Sequence, residues 1–202
     1  MNTQIRKTLI IMVGIMLMEG WPMALILGNA TPGQLQRFYS APVGLFWPAW
    51  LAAIVVTLAY VLYSIRGLPL IGERFFDAHP LKLLAIPFAL ISGTMEELWF
   101  RRLGMDWVQG LGGNIIAQIA FSALTFGLAH GVWGLFARRW RVAVGSVLAT
   151  TGLGAGLAII YVLGNRHLAP AIWTHIAINL AIEPWLLMAA MQPLDRRTAA
   201  VD

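Results

Sequence analysis

Long apolar stretches are the feature that most limits what this chain can fold into. A helix that crosses the hydrocarbon core of a bilayer needs about 20 mostly apolar residues. The chain offers about six such stretches, separated by turn residues and charges. They cover residues 8–28, 43–65, 81–100, 114–136, 142–163 and 169–190. The sequence therefore predicts an all-α, polytopic membrane protein with about six transmembrane helices.

The composition is typical of a membrane protein and excludes chemistry that depends on cysteine. Hydrophobic residues make up 59% of the chain and charged residues only 11%, whereas about a quarter of a soluble domain is charged. The net charge of +5 and the nine tryptophans suit contact with lipid headgroups. The basic residues form no continuous face, so nucleic acid is not predicted as a partner. Because cysteine is absent, disulfides, thiolate metal ligands and a thiol nucleophile are excluded.

Basic residues predict the orientation in the membrane. Glu19 interrupts the first apolar stretch and no small-x-small cleavage site is evident, so we expect a retained first helix rather than a cleaved signal peptide. A cytoplasmic N-terminus then divides the lysines and arginines into ten inner and four outer residues. The inner ten are Arg6, Lys7, Arg66, Arg74, Lys82, Arg138, Arg139, Arg141, Arg196 and Arg197, and the outer four are Arg37, Arg101, Arg102 and Arg166. The excess predicts that both termini are cytoplasmic.

The third apolar stretch contains two adjacent carboxylates, Glu96 and Glu97. Ionisable side chains inside a span are costly and usually functional. Glu97 and Arg101 are four residues apart, with the acid on the N-terminal side, which favours a helical ion pair. Glu96 is rotated by about 100° on the same helix and has no partner nearby in sequence. The alternative is a plain interfacial charge cluster at a helix end.

Two further polar pairs lie in the fourth and sixth stretches. Phe126 and His130, and likewise His175 and Asn179, are spaced so that each pair shares one helix face. Taken singly, these residues also suit a packed histidine or a hydrogen bond between helices. Taken together with the glutamates, they provide what peptide hydrolysis needs: a base for water, an acid for the leaving amine and donors for an oxyanion.

The order EExxxR, FxxxH and HxxxN resembles the CPBP family of intramembrane proteases, also called the Abi family, which includes the CAAX prenyl endopeptidases. The resemblance covers roughly residues 80 to 192, and all three motifs are intact. It implies that Glu96 is a general base supported by Glu97, which Arg101 holds, and that His130 helps to activate the same water. It also implies an oxyanion hole formed by His175 and Asn179. Two histidines and a glutamate can bind zinc, but Asn179 suits oxyanion donation better. A glutamate-type mechanism without metal or other cofactor is therefore favoured.

The resemblance leads to a prediction of architecture and function. We expect two N-terminal transmembrane helices in 1–75, a four-helix catalytic core in 80–192 and a short polar tail in 193–202. The expected function is endopeptidase cleavage near the membrane anchor of a membrane-associated or lipid-modified protein or peptide, in the inner membrane of a bacterium. The alternatives are a non-catalytic immunity or partner-binding protein of the same fold, and a proton-coupled transporter, which small size and the lack of an inverted repeat disfavour. Oligomeric state and the roles of Glu19 and Glu183 stay open; each of these two glutamates is also a candidate site residue.

One geometric difficulty accompanies this interpretation. If the third span ends near residue 100, Glu96 lies in its outer half, up to about 10 Å from the depth of His130 at 1.5 Å per helical residue. Tilt would remove this difference, and so would an irregular break near residues 92–97, which the glycine-bearing segment 92–94 favours.

Overall fold

The computed structural model describes residues 3–191, and every regular element in that range is helical. The α-helices are α1 (Thr3–Gly28), α2 (Pro32–Tyr39), α3 (Trp47–Gly67), α4 (Pro69–Arg74), α5 (Pro80–Glu97), α6 (Asp106–Gly110), α7 (Ile115–His130), α8 (Val132–Ala137), α9 (Trp140–Leu163), α10 (Ala169–Ile182) and α11 (Trp185–Ala190). A π-helix (Leu98–Met105) lies between α5 and α6. The predicted all-α class is confirmed, and the predicted tail, 193–202, lies outside the described residues.

Five helical segments within residues 3–191 are long and apolar enough to cross a membrane. They are Thr3–Gly28, Trp47–Gly67, Pro80–Gly110, Ile115–Ala137 and Trp140–Leu163. Large apolar side chains cover their outer surfaces: Leu17 is 71% exposed, Ile116 74% and Leu148 69%. An apolar surface of this extent is expected where lipid takes the place of water. The protein is therefore a polytopic membrane protein, as predicted.

The sixth apolar stretch is not one helix, and the predicted span over 169–190 is wrong in this respect. Helix α10 has 14 residues and ends at Ile182, after which Glu183 takes an extended backbone with ψ 146°. The ring of Pro184 causes this break, because a proline excludes the preceding residue from the α region. The chain resumes as the short helix α11.

The third span is longer than expected and includes the π-helix Leu98–Met105. The segment 101–113, predicted as a connection, is mostly helical, and the span runs without interruption from Pro80 to Gly110. Helix α5 continues through Glu97 without the break expected near 92–97, and the irregular segment is the π-helix that begins at Leu98. Gly93 instead allows close packing: a Cβ at this position would lie 2.9 Å from Cγ1 of Ile176 on α10.

The remaining helices pack around α5 and α9. Helices α7 and α9 form the most extensive contact, α10 packs between α5 and α3, and α1 lies against α5. Gly127 of α7 allows a close approach to α9, because a Cβ there would overlap Oγ1 of Thr151 and would lie 2.8 Å from the carbonyl oxygen of Val147. Small residues allow this kind of approach in membranes.

Replacing Gly127 with alanine is expected to destabilise the protein. The added methyl group would force α7 away from the backbone of α9, and overpacking of this kind costs about 1–3 kcal/mol. The melting temperature of the purified protein in detergent should fall for Gly127→Ala. Gly152→Ala is the matched control, since Gly152 lies on α9 and a Cβ added there would have nothing within 4 Å. Equal melting temperatures for the two variants would contradict this packing.

Candidate active site

The extended third span brings Glu96 to the depth of His130. Glu96 lies fourteen residues before Gly110, where this helical segment ends, and His130 lies fifteen residues after Ile115, where α7 begins. Both residues are therefore about four helical turns from that end of the bundle, and Oε2 of Glu96 lies 3.7 Å from Nε2 of His130. The estimated depth difference disappears because the helix continues past residue 100, and no break is needed.

Glu97 is the centre of a fully buried ionic cluster. Its Oε1 atom accepts a hydrogen bond from Nη1 of Arg101 at 3.0 Å, and both side chains are 0% exposed. The same oxygen lies 2.8 Å from Nδ1 of His175 on α10. Nη2 of Arg101 donates to the carbonyl oxygen of Gly154 on α9 at 3.1 Å. The predicted contact between Glu97 and Arg101 is confirmed, and the cluster connects α5, the π-helix, α9 and α10.

Phe126 holds both imidazoles and the guanidinium in an apolar setting. Its ring is fully buried, 4.5 Å from the ring of His130 and 5.7 Å from that of His175 between centroids. The guanidinium carbon of Arg101 lies 4.6 Å from the centre of the same ring, a cation–π distance. The predicted packing of Phe126 beside His130 is therefore confirmed, and it extends to the second histidine.

The hydrogen bonds at Nδ1 determine which nitrogen of each histidine faces the centre. Nδ1 of His130 lies 2.8 Å from the carbonyl oxygen of Phe126, and Nδ1 of His175 lies 2.8 Å from Glu97. Both partners are acceptors, so each Nδ1 carries the proton. In a neutral ring the lone pair is then on Nε2. These two Nε2 atoms face Glu96.

Glu96 lies between the two histidines. Its Oε2 atom is 3.7 Å from Nε2 of His130 and 3.9 Å from Nε2 of His175, and its side chain is 17% exposed. These distances exceed a direct hydrogen bond but are short enough for a water to bridge Glu96 and either histidine. Such a water would donate to a carboxylate and an imidazole, an arrangement that draws protons away from its oxygen. The three atoms are also of the types that bind zinc. Within residues 3–191, however, no group of three or more His, Cys, Asp or Glu side chains has the arrangement of a metal site.

Asn179 is oriented by a residue that the sequence did not single out. Its Nδ2 atom donates to Oγ of Ser92 at 3.1 Å, and Ser92 in turn donates to the carbonyl oxygen of Phe88 at 2.9 Å. Ser92 lies one helical turn before Glu96, so the two share a face of α5. The spacing of Ser92 and Glu96 could have indicated Ser92 as a site residue. A serine in a helix usually hydrogen-bonds its own backbone, however, so its presence alone does not indicate a site.

A cavity of about 1130 Å³ opens beside these groups. Its lining includes four predicted site residues, Glu96, His130, His175 and Asn179, and both of the glutamates left open by the sequence, Glu19 and Glu183. Glu97 and Arg101 do not line the cavity and lie behind the residues that do. Most of the remaining lining is apolar or aromatic, and α1 contributes one side through Ile11, Ile15 and Met18. A mostly apolar cavity with a few convergent polar groups is typical of a binding site.

Glu183 also has a contact of its own. Its Oε2 atom accepts a hydrogen bond from the backbone N–H of Leu187 at 3.3 Å, in the first turn of α11. This contact caps the start of α11, and the side chain of Glu183 is buried, at 5% exposure.

Comparison with known families decides the assignment. Residues 78–181, a little over half of the chain, match the family described as Type II CAAX prenyl endopeptidase Rce1-like. The chain belongs to this family. At the family level it is therefore an intramembrane protease of the CAAX type that acts on membrane-associated substrates. Searches of curated proteins and of solved structures gave no match. All six predicted site residues fall inside the matched region, whereas Glu19 and Glu183 fall outside it.

Replacing Arg101 should destabilise the protein far more than replacing its neighbour. Arg101→Gln leaves the buried carboxylate of Glu97 without its cation, and breaking a buried pair in this way costs about 3–5 kcal/mol. The measurement is the free energy of unfolding in mixed micelles with increasing denaturing detergent.

Arg102→Gln is the control for that measurement. Arg102 pairs with Asp106 at 3.4 Å on the surface, with its side chain 52% exposed, and such pairs are worth about 1 kcal/mol or less. Similar losses for the two variants would refute the view that the buried cluster stabilises the bundle.

Proposed function

We propose that this protein is a glutamate-type endopeptidase that hydrolyses a peptide bond near the membrane anchor of a membrane-associated or lipid-modified protein or peptide. The observation that carries the proposal is the position of Oε2 of Glu96, 3.7 and 3.9 Å from two histidine Nε2 atoms whose Nδ1 partners are both acceptors. A water bound there loses a proton to Glu96 as its oxygen attacks the scissile carbonyl carbon. His130 holds the same water through its Nε2 lone pair.

The tetrahedral intermediate requires donors on the other side of the carbonyl. Asn179 suits this role, because one N–H of its amide is used by Ser92 and the second is available to an oxyanion. His175 donates from Nε2 when its ring carries both protons, and the carboxylate of Glu97 at Nδ1 balances that charge. Collapse of the intermediate breaks the carbon–nitrogen bond, and the proton held by Glu96 passes to the leaving amine.

We further propose that the site lies in the inner membrane of a bacterium, with both termini cytoplasmic. The distribution of basic residues supports this orientation. Burial of Arg101 at 0% exposure strengthens it, because this residue no longer counts among the four outer charges. The catalytic core is proposed to occupy 80–192, with 1–75 supplying two further transmembrane helices.

Removal of the carboxylate of Glu96 is expected to abolish cleavage. Glu96→Gln keeps the size of the side chain but cannot take a proton from water, and loss of a general base costs about 10²–10⁴-fold in rate. The assay incubates the purified protein with candidate membrane-anchored peptides and follows the products by mass spectrometry. Glu73→Gln, a change at an exposed glutamate of α4, should retain full activity.

The same assay separates the competing hypotheses. Cleavage that survives in Glu96→Gln would overturn the mechanism, and loss of activity with a chelator alone would assign it to a metal ion. A non-catalytic immunity protein would show no cleavage in either form and would keep its phenotype in Glu96→Gln.

Replacement of Asn179 should slow the chemical step with little change in substrate binding. The oxyanion exists only after attack, so its donor acts on kcat rather than on KM. Asn179→Ala is expected to lower kcat by about 10²–10³-fold, as loss of one oxyanion donor does elsewhere. Ser92→Ala should have a smaller effect in the same direction, because it only orients the amide. A change confined to KM would exclude an oxyanion role.

A further inference from the structure

Glu19 on α1 is a carboxylate of the cavity wall that has no part in the proposed chemistry. It lies on the face of α1 that meets the cavity, because Ile11 and Ile15 line the same wall and residues four and eight apart on a helix share a face. Leu17, on the opposite side of α1, is 71% exposed and faces the lipid. The side chain of Glu19 is therefore directed into the protein rather than toward the bilayer.

No cation of the protein pairs with Glu19 within residues 3–191. The side chain takes part in none of the ion pairs of this part of the chain, and its Oε2 atom is buried without a hydrogen-bond partner. Among the described residues, those that line the cavity include neither lysine nor arginine. Glu19 also lies nine residues before the end of α1 at Gly28, about 13 Å of helix, so its short side chain does not reach the polar edge of the bilayer. An ionisable side chain in such a position is costly and usually functional.

Helix packing places Glu19 beside the proposed reaction centre. Helix α1 lies against α5, and a Cβ added to Gly20 would be 3.7 Å from Cδ1 of Ile91. This contact holds Glu19 near the turn of α5 that precedes Glu96, and the two carboxylates are close enough for their charges to interact. A substrate group that reaches Glu19 therefore belongs to a residue next to the bond held at Glu96.

A positively charged side chain is the ligand that this part of the wall fits. Two carboxylates that face one mostly apolar cavity repel each other, because a low dielectric strengthens the interaction between charges. A cation from the substrate pairs with Glu19 and offsets this repulsion. The aliphatic stem of a lysine or arginine packs on apolar surface while its charged end reaches a polar partner, and the tryptophans of the lining, Trp99, Trp107 and Trp133, are the aromatic residues that cations prefer.

We propose that Glu19 is a specificity-determining residue that pairs with a lysine or arginine side chain of the substrate next to the scissile bond. The inference rests on the proposed function and adds a substrate class to it: membrane-associated proteins or peptides with a basic residue beside the cut. Glu19 lies outside residues 78–181, so the family match does not describe this selectivity.

Binding of blocked pentapeptides tests the pairing without requiring cleavage. The full chain is placed in phosphatidylcholine nanodiscs and titrated with the N-acetyl peptide amide Leu-Leu-Lys-Leu-Leu, and with the same peptide carrying norleucine or glutamate in place of lysine. Empty nanodiscs give the background. A hydrogen bond between charged groups is worth about 10–100-fold in affinity, so the wild-type protein should prefer the lysine peptide over the norleucine peptide by this factor and bind the glutamate peptide most weakly.

Substitutions of Glu19 separate its charge from its size. Glu19→Gln keeps the size and should bind the lysine and norleucine peptides equally, whereas Glu19→Asp keeps the charge and should retain most of the preference. Glu19→Lys should favour the glutamate peptide instead. Glu73→Gln, at an exposed glutamate outside the cavity lining, should behave as the wild type. Melting temperatures in detergent check that each variant is folded.

Either of two outcomes would contradict this role of Glu19. Equal affinity of the wild-type protein for the lysine and norleucine peptides would mean that a proton, rather than a substrate cation, neutralises Glu19. A preference for lysine that persists in Glu19→Gln would assign the cation to Glu96 or Glu183, the other carboxylates of the lining. Neither outcome changes the cleavage assay with Glu96→Gln, so failure here is distinct from failure of the proposed function.

Discussion

The buried interaction of Glu97 with Arg101 and His175 is the constraint on which the site depends. A carboxylate at 0% exposure is tolerated only when charges and donors surround it. Here those partners come from the π-helix and from α10, and Arg101 continues to the carbonyl oxygen of Gly154 on α9. A displacement of any of these helices would leave a charge in the interior without a partner. The cluster therefore fixes the relative positions of the helices that carry the reactive groups.

The same cluster separates the roles of two adjacent glutamates. Because neighbouring residues on a helix point about 100° apart, Glu97 can face Arg101 only if Glu96 faces elsewhere, and it faces the two Nε2 atoms. The histidines are oriented from behind: His130 by a backbone carbonyl and His175 by Glu97 itself. Glu97 thus acts on the proposed chemistry through its neighbours, while Glu96 is the carboxylate that reaches the cavity.

Sequence reasoning succeeded where contacts are local and failed where they depend on distant helices. The pairs Glu97–Arg101 and Phe126–His130 were predictable because residues four apart on a helix always lie on one face. The end of the third span was misjudged because the charges after residue 100 suggested a loop. In the folded chain Arg101 is buried, and Asp106 bonds Arg166 from the segment after α9, so the helix continues. No local sequence pattern predicts a partner from a distant segment. The hydrogen bond from Asn179 to Ser92 is a second contact of this kind.

The residues to which we assign chemistry and some of the residues that line the cavity lie in different parts of the chain. All six residues to which we assign chemistry fall within 78–181, the region shared with the family. The cavity, however, is completed by parts of the chain outside it: Glu19 and its neighbours on α1, Tyr60 on α3, and Glu183 with Leu186 beyond α10. Part of the wall beside the proposed reaction centre therefore lies outside the region matched to the family, on α1, on α3 and in the chain after α10. Since the wall determines what fits beside the bond to be cut, we expect these flanking segments to contribute to the substrate range of this protein.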